Sequence, residues 1–186
     1  MTTPNSIALI FDVVANRLPQ AGVDFLMIGG HAVNQYGYSR ATLDVDFMIA
    51  AVNLDTVRSV MKEAGFSNVS QSENVVFFNK PGDPLRVDFL QVKNETMDAL
   101  LADAQDVDYG GQALKVPSLK NLIAMKLFAL KSGSPGRWEK DFPDIAHLVD
   151  ENGLDVEADL RPLCERFADD EIFAKLSVRI QELGND

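Results

Sequence analysis

Asp44 and Asp46, one residue apart, sit inside an apolar run, and an earlier apolar run ends in Gly29-Gly30. Acids at i and i+2 of a strand point to the same face, about 6.8 Å apart along the backbone. A glycine turn that opens a helix turns backbone N–H groups and the positive end of the helix dipole toward an anion. Asp88 is a lone acid in a third apolar stretch, Arg86-Val87-Asp88-Phe89-Leu90. Three carboxylates gathered without a cation repel, raise one another's pKa and destabilise the fold. A divalent ion reverses that logic and keeps all three ionised. The sequence offers hard oxygen donors and no cysteine or histidine cluster, which points to Mg²⁺ or Mn²⁺ and away from zinc. Two such ions about 3.5–4 Å apart stabilise both the attacking and the leaving oxygen of a phosphoryl displacement. Singly, the glycine pair reads as a turn and the acids as an exposed strand; their combination is what suggests phosphate chemistry.

These residues resemble a known pattern. Gly29-Gly30, a spacer, Asp44-x-Asp46 and a later strand Asp88 are similar to the signature of the nucleotidyltransferase superfamily related to DNA polymerase beta. The string IGGHAV…YGYSRATLDVDF further resembles the AbiEii-like type IV toxin nucleotidyltransferases, whose Arg-x-Thr-x-Asp-x-Asp pattern is matched by Arg40, Thr42, Asp44 and Asp46. The back half resembles that group through Lys126 in a helix, then Arg137, Lys140-Asp141 and Asp144. The resemblance implies that Gly29 and Gly30 seat a triphosphate, with Thr42 beside them. Asp44, Asp46 and Asp88 would be the catalytic acids and metal ligands, Asp88 also helping to deprotonate an acceptor hydroxyl. Arg40 and Lys126 would neutralise phosphate charge, and Lys140 and Asp141 would lie near the nucleotide or acceptor. His31 departs from the small or hydroxyl residue common at its position and reads as a partly exposed residue of a first helical turn.

The elements that must position these residues follow from periodicity and punctuation. Ser6 to Leu18 is amphipathic, with Asn5 or Ser6 as cap and Pro19 beyond its end. Asp24 to Ile28 is a short strand, and His31 to Tyr36 a short helix closed near Gly37 by Tyr36 and Tyr38. Leu43 to Ile49 alternates, predicting a strand with one wet and one dry face. A helix capped by Asn53 or Asp55 ends at Gly65. Strands follow at Ser67–Ser70, Asn74–Asn79 and Leu85–Val92, the last two joined as a hairpin by Lys80-Pro81-Gly82-Asp83-Pro84. Asn94 to Ala102 is helical, Gly110-Gly111 joins two short extended pieces, and Pro117-Ser118 opens a helix over Leu119–Lys131. A loop at Ser132–Gly136 leads into an entirely helical remainder, in which Asp169-Asp170-Glu171 starts a helix favoured by the dipole. The layout is a mixed α/β front half and a helical back half. With the resemblance it implies an α+β nucleotidyltransferase fold: a core over residues 1–116, with a small mixed sheet flanked by helices, and a helical bundle over 117–186.

At 186 residues the chain can bury roughly 70% of its unfolded surface, so it needs no staple. Its one cysteine, Cys164, has no intrachain partner and reads as core; Trp138 reads as a packing anchor, with base stacking the alternative. No leader and no apolar run near ~20 residues is visible, which leads us to expect a cytoplasmic protein and no membrane partner. A hydrophobic content of 46% excludes a disordered chain. The net charge of −11 argues against a surface that clings broadly to nucleic acid. Yet Lys115 to Lys140 carries six positive residues against Glu139 alone, either a solvated helix face or a local anion site. The expected activity is transfer of a nucleoside monophosphate from an NTP to an acceptor hydroxyl. The toxin-like resemblance implies an RNA such as tRNA as acceptor, and a cognate antitoxin protein as partner. The acidity favours instead a small cationic acceptor, as in antibiotic-modifying members of the superfamily. A non-catalytic nucleotide- or partner-binding module and a metal-stabilised structural domain complete the alternatives.

Overall fold

The computed structural model describes residues 6–133 and 135–185. The suggested cap Asn5 and the loop residue Ser134 lie outside them. The described chain forms two compact units, one from residues up to Ala32 and from Ala41–Pro117, the other from Val33–Arg40 and from Ser118 onward. The short segment Val33–Arg40 thus groups with the helices that follow Pro117.

In the first unit the expected amphipathic helix is α1 (Ser6–Asp12), a π-helical turn over Val13–Arg17, and α2 (Leu18–Gln20). It runs past Pro19 because proline in a first helical turn gives up an N–H that has no intrahelical partner. β1 (Phe25–Ile28) leads into α3 (Gly29–Gln35), which starts at the glycine pair itself, two residues earlier than expected. β2 (Val45–Ala50), α4 (Leu54–Glu63), β3 (Ser67–Gln71), β4 (Val75–Asn79), β5 (Arg86–Val92) and α5 (Asn94–Leu101) follow. The hairpin β6 (Gln105–Tyr109) and β7 (Gln112–Val116) turns at Gly110-Gly111.

The main sheet has the order β1-β2-β5-β4-β3. β1 and β2 are antiparallel, β2 and β5 parallel, and β5-β4-β3 an antiparallel meander. β2 is buried on both faces, with α5 among the elements packed against it, and this corrects the expectation of one wet face. Val45, Phe47, Met48, Ile49 and Ala50 are all buried, so only the end carrying Asp46 is partly open. Leu43, expected in the strand, precedes it and is 78% exposed, because the pairing with β1 ends at Ile28 opposite Asp46. On the opposite face from Asp46 and Asp88, a run of rings forms the core: Phe25 and Phe47 at 5.7 Å, Phe47 and Phe89 at 5.5 Å, Phe89 and Phe78 at 5.8 Å. Offset and edge-on rings of this kind add about 0.5–1.5 kcal/mol per pair beyond their buried area.

In the second unit, α6 (Leu119–Ser132) is capped by Ser118, whose hydroxyl accepts from the Asn121 N–H. α7 (Pro135–Glu151), α8 (Arg161–Phe167) and α9 (Asp170–Leu183) follow, and α9 starts where Asp169 accepts from the Ile172 N–H at 2.9 Å. Leu122, Ile123, Leu127, Leu148, Val149 and Leu176 make its core. Trp138 packs on Phe142 with ring centroids 5.4 Å apart, and the Lys175 ammonium lies 5.0 Å above the indole. No helix among the described residues is long and apolar enough to cross a membrane.

Cys164 lies in α8, 1% exposed, and burial foremost pushes its thiol up to about 11. A thiol attacks as thiolate, which is scarce at pH 8 under such a shift. We predict that native protein resists alkylation by iodoacetamide at pH 8 while urea-unfolded protein reacts fully, as read by intact mass.

Candidate active site

Parallel pairing sets Asp46 opposite Asp88 and Val45 opposite Val87. Side chains alternate across a strand, so Asp46, Asp88 and Arg86 project from the same sheet face on strands about 4.8 Å apart. Asp44, the residue just before β2, lies against Arg86 at 3.3 Å. Two rows result, Asp44 beside Arg86 and Asp46 beside Asp88. Arg86 closes the group: Nε donates to Asp88 Oδ1 at 2.7 Å, Nη2 to Asp88 Oδ2 at 2.8 Å, and Nη2 to Asp44 Oδ2 at 3.3 Å. Its guanidinium also lies 4.8 Å from the Phe77 ring centroid. Burial pushes the Asp88 carboxyl above its ordinary value, the Arg86 bonds pull it down and Asp44 raises it again; the balance is upward.

The glycine pair borders this group. Gly29 has φ +65°, and a Cβ built on it would lie 2.7 Å from Asp46 Cγ and overlap Oδ2. Gly30 faces Thr42, whose Cβ would be 2.9 Å from a Cβ at that position. Thr42 in turn donates to the Asp44 carbonyl at 3.2 Å. Bare backbone at Gly29 and Gly30 is what lets α3 start against Asp46 and Thr42. His31, expected partly exposed, is only 3% exposed. Its Nδ1 lies 2.6 Å from the Tyr109 hydroxyl and its ring meets Phe11 edge-on at 5.5 Å. It packs under the start of α3 because α1 and the β6–β7 hairpin cover that turn.

The other expected residues form a second group, within the helical unit. Asp141 and Asp144, spaced i and i+3, share a face of α7 with Ile145 and Leu148 and are carried into its core. Lys126 of α6 donates to Asp141 Oδ1 at 2.8 Å and Asp144 Oδ2 at 2.7 Å. Arg40 forks onto Asp144, Nε to Oδ1 at 2.6 Å and Nη2 to Oδ2 at 2.9 Å. The Asp144 hydrogen bond raises the Arg40 pKa against the cost of burial. Arg137 adds a longer contact to Asp141 Oδ2 at 3.4 Å, so three cations meet two anions and the charges of Arg40 and Lys126 are matched here by carboxylates. The segment is fastened along α7 at further points: Tyr38 stacks on His147 at 4.0 Å, and Asn152 Nδ2 donates to the Tyr36 carbonyl at 2.8 Å. Lys140 stands apart on an exposed side of α7.

Residues 8–181 match a family described as nucleotidyl transferase of unknown function (DUF2204). The chain belongs to this family. As a nucleotidyl transferase it also shares its fold with solved structures. ANT(2″)-Ia in complex with adenylyl-2″-tobramycin aligns with a TM-score of 0.62 at 12% identity, covering 94% of this chain and 98% of that one. An antigenic nucleotidyltransferase-like protein from Paracoccidioides brasiliensis aligns at 0.54 and 19% identity, covering 92% and 90%. The lincosamide antibiotic adenylyltransferase LnuA, lincomycin-bound, aligns at 0.52 and 14%, covering 78% and 96%. Among curated proteins no sequence matches significantly. The mixed α+β architecture with its flanked central sheet is that of nucleotidyltransferases.

In this nucleotidyl transferase, Gly29, Gly30, Thr42, Asp44, Asp46 and Asp88 therefore gather at the end of the sheet. Among the described residues no three histidine, cysteine or acidic side chains are drawn together as a metal-ligand cluster. The cation between Asp44 and Asp88 is Arg86, which the sequence reading passed over. The signal was present: Arg86 stands at i−2 from Asp88 and so on the same strand face. The donor set still fits a hard divalent ion, with oxygen atoms only, on adjacent strands, beside a glycine cleared of side-chain atoms.

Two predictions test these contacts. Gly29→Ala adds an overlap with Asp46 to the strain of a positive φ, whereas Gly22→Ala, at φ +75° with open space around it, adds strain alone. Gly29→Ala will lose more stability in urea than Gly22→Ala, by about 1–3 kcal/mol. Asp144→Ala leaves Lys126 and Arg40 without a shared counter-charge and will cost about 3–5 kcal/mol by the same measurement.

Proposed function

We propose that this nucleotidyl transferase moves a nucleoside monophosphate from an NTP to an acceptor hydroxyl and releases pyrophosphate, using Asp44, Asp46 and Asp88. The observation that carries the reading is the placement of Asp46 and Asp88 side by side on one sheet face, with Asp44 joined to Asp88 through Arg86, beside the bare Gly29-Gly30 backbone. Asp44, Asp46 and Asp88 would hold Mg²⁺ or Mn²⁺, which supplies Lewis-acid stabilisation of phosphate charge when bound. Gly29 and Gly30 leave room for the triphosphate to approach main-chain N–H groups. Thr42, through its bond to the Asp44 carbonyl, holds the approach to that acid. Asp88 receives the acceptor's proton. The protein's contribution is then orientation and charge placement.

For the acceptor, we infer a small cationic molecule bearing hydroxyl groups. The case for RNA drew on the basic segment Lys115–Lys140 and on the toxin-like wording of the motif. Within that segment Lys115 pairs with Asp106 at 2.8 Å and Lys120 with Asp159 at 2.7 Å. Lys126 pairs with Asp141 and Asp144, and Lys131 donates to the Ala168 carbonyl at 2.7 Å. Arg137 reaches Asp141 at 3.4 Å, so five of the six cations are engaged internally, on a chain of net charge −11. Such a surface repels a polyanion and attracts a polycation. Two solved structures of this fold hold small molecules, one adenylyl-2″-tobramycin and the other lincomycin.

The test incubates the protein with each α-labelled NTP and Mg²⁺, offering polyamine-like aminocyclitols in one set and total tRNA in another. Label in the small acceptor, lost in Asp46→Asn with an unchanged melting curve, is expected. Label in tRNA would restore the toxin-like reading and make a cognate antitoxin the next partner to seek. Transfer that survives Asp46→Asn would overturn the catalytic assignment.

A further inference from the structure

Among the described residues at the sheet end, Arg86 is the charged group that the proposed chemistry leaves without a task. It forks onto both oxygens of Asp88 at 2.7 and 2.8 Å and reaches Asp44 at 3.3 Å, and its side chain remains 45% exposed. A guanidinium so placed satisfies the same carboxylate lone pairs that a divalent ion requires. It is tethered, so it meets no entropy of association. It is also partly solvated and rests on the Phe77 ring, which leaves it a stable position from which to swing. A metal on the same oxygens of Asp44 and Asp88 would meet the Arg86 charge at close range, so the two cations oppose each other there.

We propose that Arg86 is an internal counter-cation that competes with the divalent metal for Asp44 and Asp88. It is a positioning residue. Before substrate arrives it holds the two acids in register, so the metal alone binds poorly. When the metal takes the carboxylates, the released guanidinium needs an anion, and the nucleotide's phosphates provide one. Metal and nucleotide then bind cooperatively, through one side chain that serves the acids first and the phosphates afterwards. This inference rests on the reading of Asp44, Asp46 and Asp88 as the metal site.

The test is Mn²⁺ binding, followed by the loss of the free-ion EPR signal, with and without a non-hydrolysable NTP analogue. Arg86→Gln removes the charge, and Arg86→Lys keeps the charge but loses the fork. Competition predicts that Arg86→Gln binds Mn²⁺ alone about tenfold or more tighter than the parent, the scale set by losing charged hydrogen bonds. The analogue should then improve Mn²⁺ affinity less in Arg86→Gln than in the parent. Arg86→Lys falls between, and carries the test alone if the glutamine variant does not fold. A second expected sign is a melting temperature of Arg86→Gln that falls in chelator and recovers with Mn²⁺. Equal or weaker Mn²⁺ binding by both variants, with the parent still binding Mn²⁺ and analogue, overturns the competition and leaves the metal site standing. No Mn²⁺ binding by any form, even with the analogue, overturns both.

Discussion

The in-register parallel pairing of β2 with β5 sets Asp46 beside Asp88 and brings Asp44 within reach of Arg86, and the proposed chemistry depends on it. Because side chains alternate with period two, a slip of one residue would turn one strand's charges into the ring-lined core. The core guards against this. Phe47 and Phe89 are register partners on the opposite face and stack at 5.5 Å, so shifting the acids also breaks the most buried aromatic pair. Hydrophobic packing on one side of the sheet thereby positions like charges on the other, where electrostatics alone would drive them apart.

The same balance recurs in the helical unit with a different solution. There Asp141 and Asp144 are almost wholly buried, and Lys126 with Arg40 supplies two tethered cations that satisfy their oxygens. Desolvating such a set is costly, and its members hold together because each has good geometry and more than one partner. On the sheet Asp88 is buried too, but Asp44 and Arg86 are each nearly half exposed. One group is closed on itself, and the other is the one proposed to change its cation.

Much of this was legible in the residues. The strand–Gly-Gly–helix order, the hairpin closed by Lys80–Pro84, and the helix starts at Ser118 and Asp169 follow from local chemistry, and the structure carries them. The burial of both faces of β2 was not legible, since alternation at Asp44 and Asp46 says nothing of the neighbours that cover Met48 and Ala50. Nor was the burial of His31, which depends on Phe11 and Tyr109 arriving from distant parts of the chain. Pairing is a tertiary fact too: a lysine-rich segment looks free in sequence because Asp106, Asp159 and Asp144 are elsewhere in it. Arg86 was legible as well, since it stands two places before Asp88 and therefore on the same strand face.

The central claim is that the acids at the sheet end bind nucleotide through a divalent cation. The most direct measurement is calorimetric titration of the protein with a non-hydrolysable NTP analogue, once in Mg²⁺ and once in chelator. The account predicts one site with affinity that collapses when the cation is removed. Equal affinity in both conditions would contradict it, because the three carboxylates would then contribute nothing but repulsion to a bound triphosphate.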